Sequence, residues 1–497
     1  MEHFDVLIVG AGLSGLGAGC HLRRSCPDRR FAILERRAAT GGTWDLFRYP
    51  GIRSDSDMYT LGYSFAPLGD SRSIAEGSSI LRYVRETAAR YGVDREVRLG
   101  HEVTDADWDS SRAAWTVHVR LADTGERLSL RCSFLLMCSG YYRYDAGYTP
   151  ELPGIERFAG PVIHPQRWPD DLHYAGRRVV VIGSGATAIT LVPALAKTAG
   201  HVTMLQRSPS YVVSLPSVDG LAQLARARLP ETLAYRLVRA KNVLVMVLSY
   251  QLSQRWPRMM RAVIRRAVAS QLPPGVDVDT HFAPRYGPWD QRLCVAPGGD
   301  LFRALRAGDA SVVTDRIAGF TERGIVLGSG ETLAADVIIT ATGLTLQVFG
   351  GARLSVDGRR VSPGDTVAYR GMMLSGVPNL ALAIGYANAS WTLKADLSFV
   401  YLCRLLNHMR DRGYAVAMPP ADPAVPRQPL LPLRSGYVLR AHDELPSQGT
   451  RAPWRVRQNY PLDLLDFRRA AMEDGVMEFS RAPVPSEPAP PELGAAA

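Results

Sequence analysis

The apolar positions of this chain fall into short β-rich runs separated by polar turns, and the runs come in two similar sets. In the first, Phe4-Asp-Val-Leu-Ile-Val9 predicts a strand, Gly10-Ala-Gly-Leu-Ser-Gly15 a tight turn, and the Ala/Leu pattern to about Leu22 a helix. The next apolar run, Phe31-Ala-Ile-Leu34, predicts a second strand and stops at Glu35. In the other set Arg178-Val-Val-Val-Ile182 leads into Gly183-Ser-Gly-Ala-Thr-Ala188 and an apolar helix, and His201-Val-Thr-Met-Leu-Gln206 stops at Arg207. Residues 113–120 alternate like a strand, while Phe134–Cys138 and the run from Asp336 to the Ala-Thr-Gly343 turn read as β-rich. From 216 to 275 the pattern changes. Leu, Ala and Arg dominate there, and the segment predicts several helices.

Strand, G-x-G-x-x-G and helix together are the context that gives a glycine motif its meaning. Gly10 permits the turn, Gly12 lets a pyrophosphate approach the backbone, and Gly15 lets helix and strand pack closely. The free N–H groups at the helix start then receive the phosphates. Gly183, Gly185 and Ala188 repeat the arrangement as G-x-G-x-x-A. The strand ends differ in charge. Glu35 accepts hydrogen bonds from a ribose and repels a 2′-phosphate, which suits FAD; Arg207 can pair with a 2′-phosphate, which selects NADPH. Taken alone, Arg207 also reads as a surface arginine at a strand end.

These elements make the expected fold α/β, with two Rossmann-like dinucleotide-binding domains, one for FAD and one for NADPH, and a helical insert in the NADPH domain. The expected division is 1–143 and 343–481 for the FAD domain, 144–215 and 281–342 for the NADPH domain, 216–280 for the insert and 482–497 for a disordered Pro/Ala/Ser tail. A chain of 497 residues is too long for one ordinary core, which agrees with that division.

Composition adds little except charge and cysteine. With 46% hydrophobic and 21% charged residues the chain reads as an ordinary globular protein. Its longest apolar run, Val243–Leu248, is far short of the roughly 20 residues needed to span a bilayer. The N-terminus runs straight into the first strand, so no signal peptide and a cytoplasmic location are expected. Six cysteines show neither C-x-x-C nor paired zinc spacing, and residues 41–60 hold none, which argues against a disulfide reductase and gives no metal site. Of the net +10, residues 216–275 carry +8, from ten Lys or Arg against Asp219 and Glu231. Such a segment is either a solvated face or a basic surface that touches anionic membranes peripherally. No nucleic-acid-binding module accompanies it, so nucleic acid is not an expected partner.

Phe158-Ala-Gly-Pro-Val-Ile-His-Pro-Gln-Arg-Trp168 lies about twenty residues before the second glycine loop. By themselves Phe158 and Trp168 read equally as core aromatics and His164 as a loop histidine. As F-x-G-x-x-x-H-x-x-x-W, however, Phe158, Gly160, His164 and Trp168 match the fingerprint of flavin-dependent Baeyer–Villiger monooxygenases, which the chain resembles to about residue 480. The stretches Gly41-Gly-Thr-Trp-Asp-Leu-Phe-Arg-Tyr-Pro-Gly-Ile-Arg-Ser-Asp55 and Pro288-Trp-Asp-Gln-Arg-Leu-Cys294 resemble the subgroup of the ethionamide-activating enzyme most closely.

The resemblance implies that Gly42, Thr43 and Trp44 lie along the flavin, that Asp55 approaches both flavin and active-site arginine, and that this arginine is Arg292. It implies that NADPH reduces FAD, that O2 then gives a C4a-peroxyflavin, and that an apolar ketone becomes an ester or lactone. Gln291 stands where many members have a lysine on the NADPH phosphate, leaving that task to Arg207. Asn388 and Trp391 face either the flavin and substrate or the core. Two other functions stay open: oxygenation of sulfur or nitrogen in sulfides, thioamides or amines, which Trp168 disfavours, and a redox-sensing flavoprotein without turnover.

Overall fold

In the computed structural model, which describes residues 1–67 and 74–481, the first glycine loop joins the central strand of a sheet to the helix packed behind it. That strand, β1 (His3–Val9), is followed by α1 (Leu13–Ser25) and β2 (Phe31–Leu34), and β3 (Arg127–Met137) closes on its other side. β1 runs parallel to both neighbours, with Val9 opposite Leu34 and Met137. Alternate side chains enter different cores: Val6 and Ile8 pack on one face with α1, Leu7 and Val9 on the other. A parallel strand buried on both faces must be apolar throughout, and this one nearly is. Beyond β3 the sheet turns antiparallel through Ala114–Leu121 and His101–Asp109. Leu380–Leu382 also lies parallel to β3, so residues far apart in sequence complete one sheet.

The second glycine loop repeats the scheme. β4 (Arg178–Ile182), α2 (Ala186–Leu195) and β5 (His201–Gln206) are joined by β6 (Ala310–Thr314) and β7 (Val337–Thr340) in a parallel sheet of order β6-β5-β4-β7, with Val162–Ile163 at the far edge. Val179 and Val181 face one core, Val180 and Ile182 the other. The fold is therefore α/β with two Rossmann-like sheets.

Between β5 and β6 stand α3 (Gly220–Arg228), α4 (Glu231–Arg255) and α5 (Pro257–Ala269), the helical insert. Asp219 caps α3 through the Leu221 and Ala222 N–H groups, and Pro257 at the first position of α5 separates it from α4. α4 reaches across to the first unit: Arg239 donates to the Tyr59 and Gly62 carbonyls, and Asn242 to Asp57 Oδ1 at 2.8 Å. Late in the chain α6 (Trp391–Arg412) packs against α1. No helix among the described residues is long and apolar enough to cross a membrane. The tail expected from 482 lies outside the described residues.

Candidate functional site

A cleft of about 360 Å³ runs from the first glycine loop to Arg292, lined by both sheet units and the connection between them. Its floor at one end is backbone. Gly10 has φ +101°, and a Cβ there would stand 2.7 Å from the Cys138 carbonyl oxygen; a Cβ on Gly15 would stand 1.8 Å from the Gly10 oxygen. The loop thus takes this shape only with glycine at both positions. Gly12, Leu13 and Ser14 bring the first turn of α1 to the cleft, and no side chain caps it. A helix start left open to a cleft is a cradle for a diphosphate.

Glu35 is buried at the end of β2 and lines the same end. Its carboxylate accepts from Ala11 N at 2.8 Å and from Arg37 N at 3.0 Å, so it also pins the glycine loop. Gly42, Thr43 and Trp44 line the cleft beside the glycine loop, with Gly42 against Gly12. Arg37 holds them there, donating to the Gly42 carbonyl and pairing with Asp45, which Arg85 grips from the other side. Sequence reasoning missed this clamp, because nothing in the spacing of Arg37, Asp45 and Arg85 marks them as partners. Trp391 lines the cleft, donating to Ser14 Oγ at 2.7 Å, whereas Asn388 is buried away from it and donates to the Gln458 carbonyl. The alternatives for these two residues thus divide: Trp391 faces the cleft and Asn388 the core.

Asp55 and Arg292 meet at the other end, both half-buried. They do not close to an ion pair. Burial pushes the Asp55 carboxyl up, against the pull of Arg292 and then Arg53. Burial also works against the Arg292 charge, yet Asp55 keeps its guanidinium above the ordinary value, so it stays a cation. Tyr141 and Tyr142, which follow β3, line the cleft beside it. Arg53, two residues from Asp55, forms an ion pair with Asp300 across the boundary between the units. Burial pushes the nearby Tyr49 hydroxyl up to about 12, so it faces the cleft as a neutral group.

The fingerprint splits in the same way. His164 lines the cleft, while Phe158 and Trp168 pack in the cores of the second unit and stay out of it. A Cβ on Gly160 would stand 2.5 Å from the Asp336 carbonyl oxygen, so that position serves close packing. His164 Nε2 lies 3.0 Å from the Gly343 carbonyl and its Nδ1 accepts from Gln166 N. One ring nitrogen donates and the other accepts, which only the neutral imidazole can do. Burial lowers the pKa of His164, and the Gly343 bond opposes the shift. Gly147, which the sequence did not single out, is required here: a Cβ would collide with the imidazole at 1.9 Å.

Gly183, Gly185, Ala188 and Arg207 do not line the cleft, though Ala186 and Thr187 of the same loop do. The α2 start is uncapped and a Cβ on Gly185 would meet open space, so this phosphate cradle faces outward. Ile182 is in register with Leu205, which places Arg207 just past the strand end beside Gly183. The arginine is exposed and without an ion-pair partner among the described residues. Both glycine loops thus end in an open helix start, one along the cleft and one outside it.

The profile of a family described as "Flavin-binding monooxygenase-like" matches residues 4–257. The chain is 55% identical over 488 residues to the FAD-containing monooxygenase EthA of Mycobacterium tuberculosis (strain ATCC 25618 / H37Rv), covering 97% of this chain and 99% of that one. To the protein of the same name from Mycolicibacterium smegmatis it is 53% identical, covering 97% and 98%. Among solved structures, an oxidized steroid monooxygenase bound to NADP superposes with a TM-score of 0.74 at 21% identity, covering 96% of this chain and 100% of that one. An open form of cyclohexanone monooxygenase gives 0.71 at 21% identity, covering 84% and 90%.

Proposed function

This chain belongs to the flavin-binding monooxygenase-like family and is an NADPH-dependent flavoprotein monooxygenase, and on that premise we propose that it carries out Baeyer–Villiger oxidation of an apolar ketone. The reaction consumes ketone, O2, NADPH and a proton, and yields an ester or lactone, NADP+ and water. FAD, once reduced by NADPH, supplies the activation of O2. The observation that carries the reading is Arg292, a cation held in the cleft with Asp55 nearby and no ion pair closed between them.

Each of the chain's own residues has a task in this reading. Gly10, Gly12 and the open start of α1 would hold the FAD diphosphate, with Gly15 allowing the loop its shape. Glu35 would take the ribose, and Gly42, Thr43 and Trp44 would flank the cofactor. Gly183, Gly185, Ala188 and Arg207 would hold NADPH. Arg292 places a fixed positive charge where negative charge builds on the carbonyl oxygen as oxygen adds to the ketone; such preorganised charge acts most strongly where water is excluded. Asp55 keeps that guanidinium charged and directed into the cleft. His164 anchors the Gly343 turn and moves no proton.

A second reading, oxygen transfer to sulfur or nitrogen in sulfides, thioamides or amines, is favoured by the resemblance of residues 41–55 and 288–294 to the subgroup of the ethionamide-activating enzyme, ethionamide being a thioamide. Product analysis separates the two. FAD-loaded protein is given NADPH, heavy-isotope O2, a panel of cyclic, linear and aryl ketones, and one aryl sulfide. One labelled oxygen in an ester or lactone establishes the first reading; labelled sulfoxide with no ketone product replaces it by the second. Arg292→Ala should still bind FAD and be reduced by NADPH but lose ketone oxygenation, and normal lactone yield from that variant would refute the arginine's role.

A further inference from the structure

Twelve of the nineteen large apolar side chains exposed among the described residues lie between 215 and 263, in and beside the helical insert. The longest helix of the insert shows why they matter. On α4, Leu233, Leu237, Leu244 and Leu248 are each between 45% and 55% exposed. Their spacing of four, seven and four residues puts them on one stripe at 3.6 residues per turn. Tyr235, Val238 and Ser253, which are buried, fall on the opposite side. The helix is therefore apolar on both faces, with only one of them packed, and neither Asp219 nor Glu231 interrupts the outer stripe. Trp256, Met259 and Val263, just past the end of the helix in sequence, are exposed as well.

A globular protein gains nothing from apolar area left in water, and contiguous exposed patches mark contact surfaces. The charge around this one narrows the occupant. Some of the insert's cations are used internally, Arg239 on backbone carbonyls, Lys241 on Asp219 and Arg265 on Asp279. Arg228, Arg236, Arg255, Arg258 and Arg266 are exposed and, among the described residues, have no ion-pair partner. A second copy docking through the same face would bring these cations against their own images, which is unfavourable. A bilayer surface with anionic headgroups offers what both features need: negative charge at the level of the arginines and acyl chain beneath it for the leucines. We propose that the leucine stripe of α4 and the unpaired arginines of the insert seat this protein on an anionic lipid surface. With no helix among the described residues long and apolar enough to span the bilayer, the contact proposed is a peripheral one. It holds whether the enzyme oxidises ketones or sulfides.

The test is co-sedimentation of the full-length, FAD-loaded protein with vesicles of phosphatidylcholine alone or with about one-third phosphatidylglycerol, at roughly 50 and 500 mM salt. The anionic vesicles should pellet the protein at low salt, the neutral ones should leave most of it in solution, and high salt should release it. Leu237→Glu/Leu244→Glu puts charge into the stripe without touching a buried position. It should lower the bound fraction about tenfold or more at low salt while its flavin spectrum and its NADPH oxidation without vesicles match wild type. Arg236→Gln/Arg258→Gln should shift the salt midpoint downward. Wild type that stays in the supernatant with anionic vesicles overturns the proposal, as does equal binding by the leucine variant. Velocity sedimentation without vesicles supplies the remaining arm: an oligomer that the leucine variant dissociates would assign the stripe to a second copy instead.

Discussion

His164 shows how one residue can tie a site together without taking part in its chemistry. The ring donates to the Gly343 turn and accepts from Gln166 N, so a second proton would have to replace an acceptor by a donor against a backbone N–H. Its folded pKa lies below the ordinary value of 6.5, and burial is the first cause. Since the unfolded chain then binds the proton more readily, this site's stability is full above about pH 6.5 and is lost as pH falls from there through the folded value. Melting temperatures measured between about pH 7.5 and 5.5 should drop on acidification, and His164→Asn should have a shallower slope. Equal slopes would remove His164 as the cause. Arg207 gives a second prediction at this scale. Because it is exposed at the end of β5 with no ion-pair partner among the described residues, Arg207→Ala should raise the KM for NADPH about tenfold or more while that for NADH hardly moves. A parallel rise for both would deny it the phosphate.

At the level of elements, a strand, its glycine turn and the following helix act as one unit, and Gly15 is where they meet. A methyl group there would stand 1.8 Å from the Gly10 carbonyl oxygen, so strand and helix would have to separate. Gly15→Ala should cost about 3 kcal/mol or more and release FAD, read as a lower melting temperature and a loss of flavin absorbance in the purified protein. Normal flavin content would show that the loop can relax. These units were legible in the sequence because a parallel strand is apolar throughout and its turn needs glycine; both leave marks at fixed spacing. The insert was legible as helices for a similar reason. The Arg37–Asp45–Arg85 clamp, Gly147 beneath His164 and the Arg53–Asp300 pair were not. Each depends on residues brought together by the tertiary fold, and a salt bridge or a van der Waals contact has no period. The leucine stripe was hidden differently: a helix apolar on two faces looks, in one dimension, like a helix that is simply buried.

For the whole molecule the cleft is a shared possession of two units. Glu35 and Gly12 come from one, and Ala186, Arg292 and His164 from the other. Arg53 and Asp300 join the units beside the active end. Removing either should leave the other charged and partly buried, and a double-mutant cycle on Arg53→Ala and Asp300→Ala should report a coupling of about 1–3 kcal/mol. Additive effects would mean that the pair does not hold the units together. The same interleaving has a consequence for biogenesis. β3 gains its neighbour Leu380–Leu382 only after some 240 residues more have been made, and α1 gains α6 later still. The second unit, whose strands lie between 162 and 340, is complete before then. On the ribosome, then, the half begun first must finish last, holding an open sheet edge and a bare apolar helix face until the carboxyl-terminal third emerges.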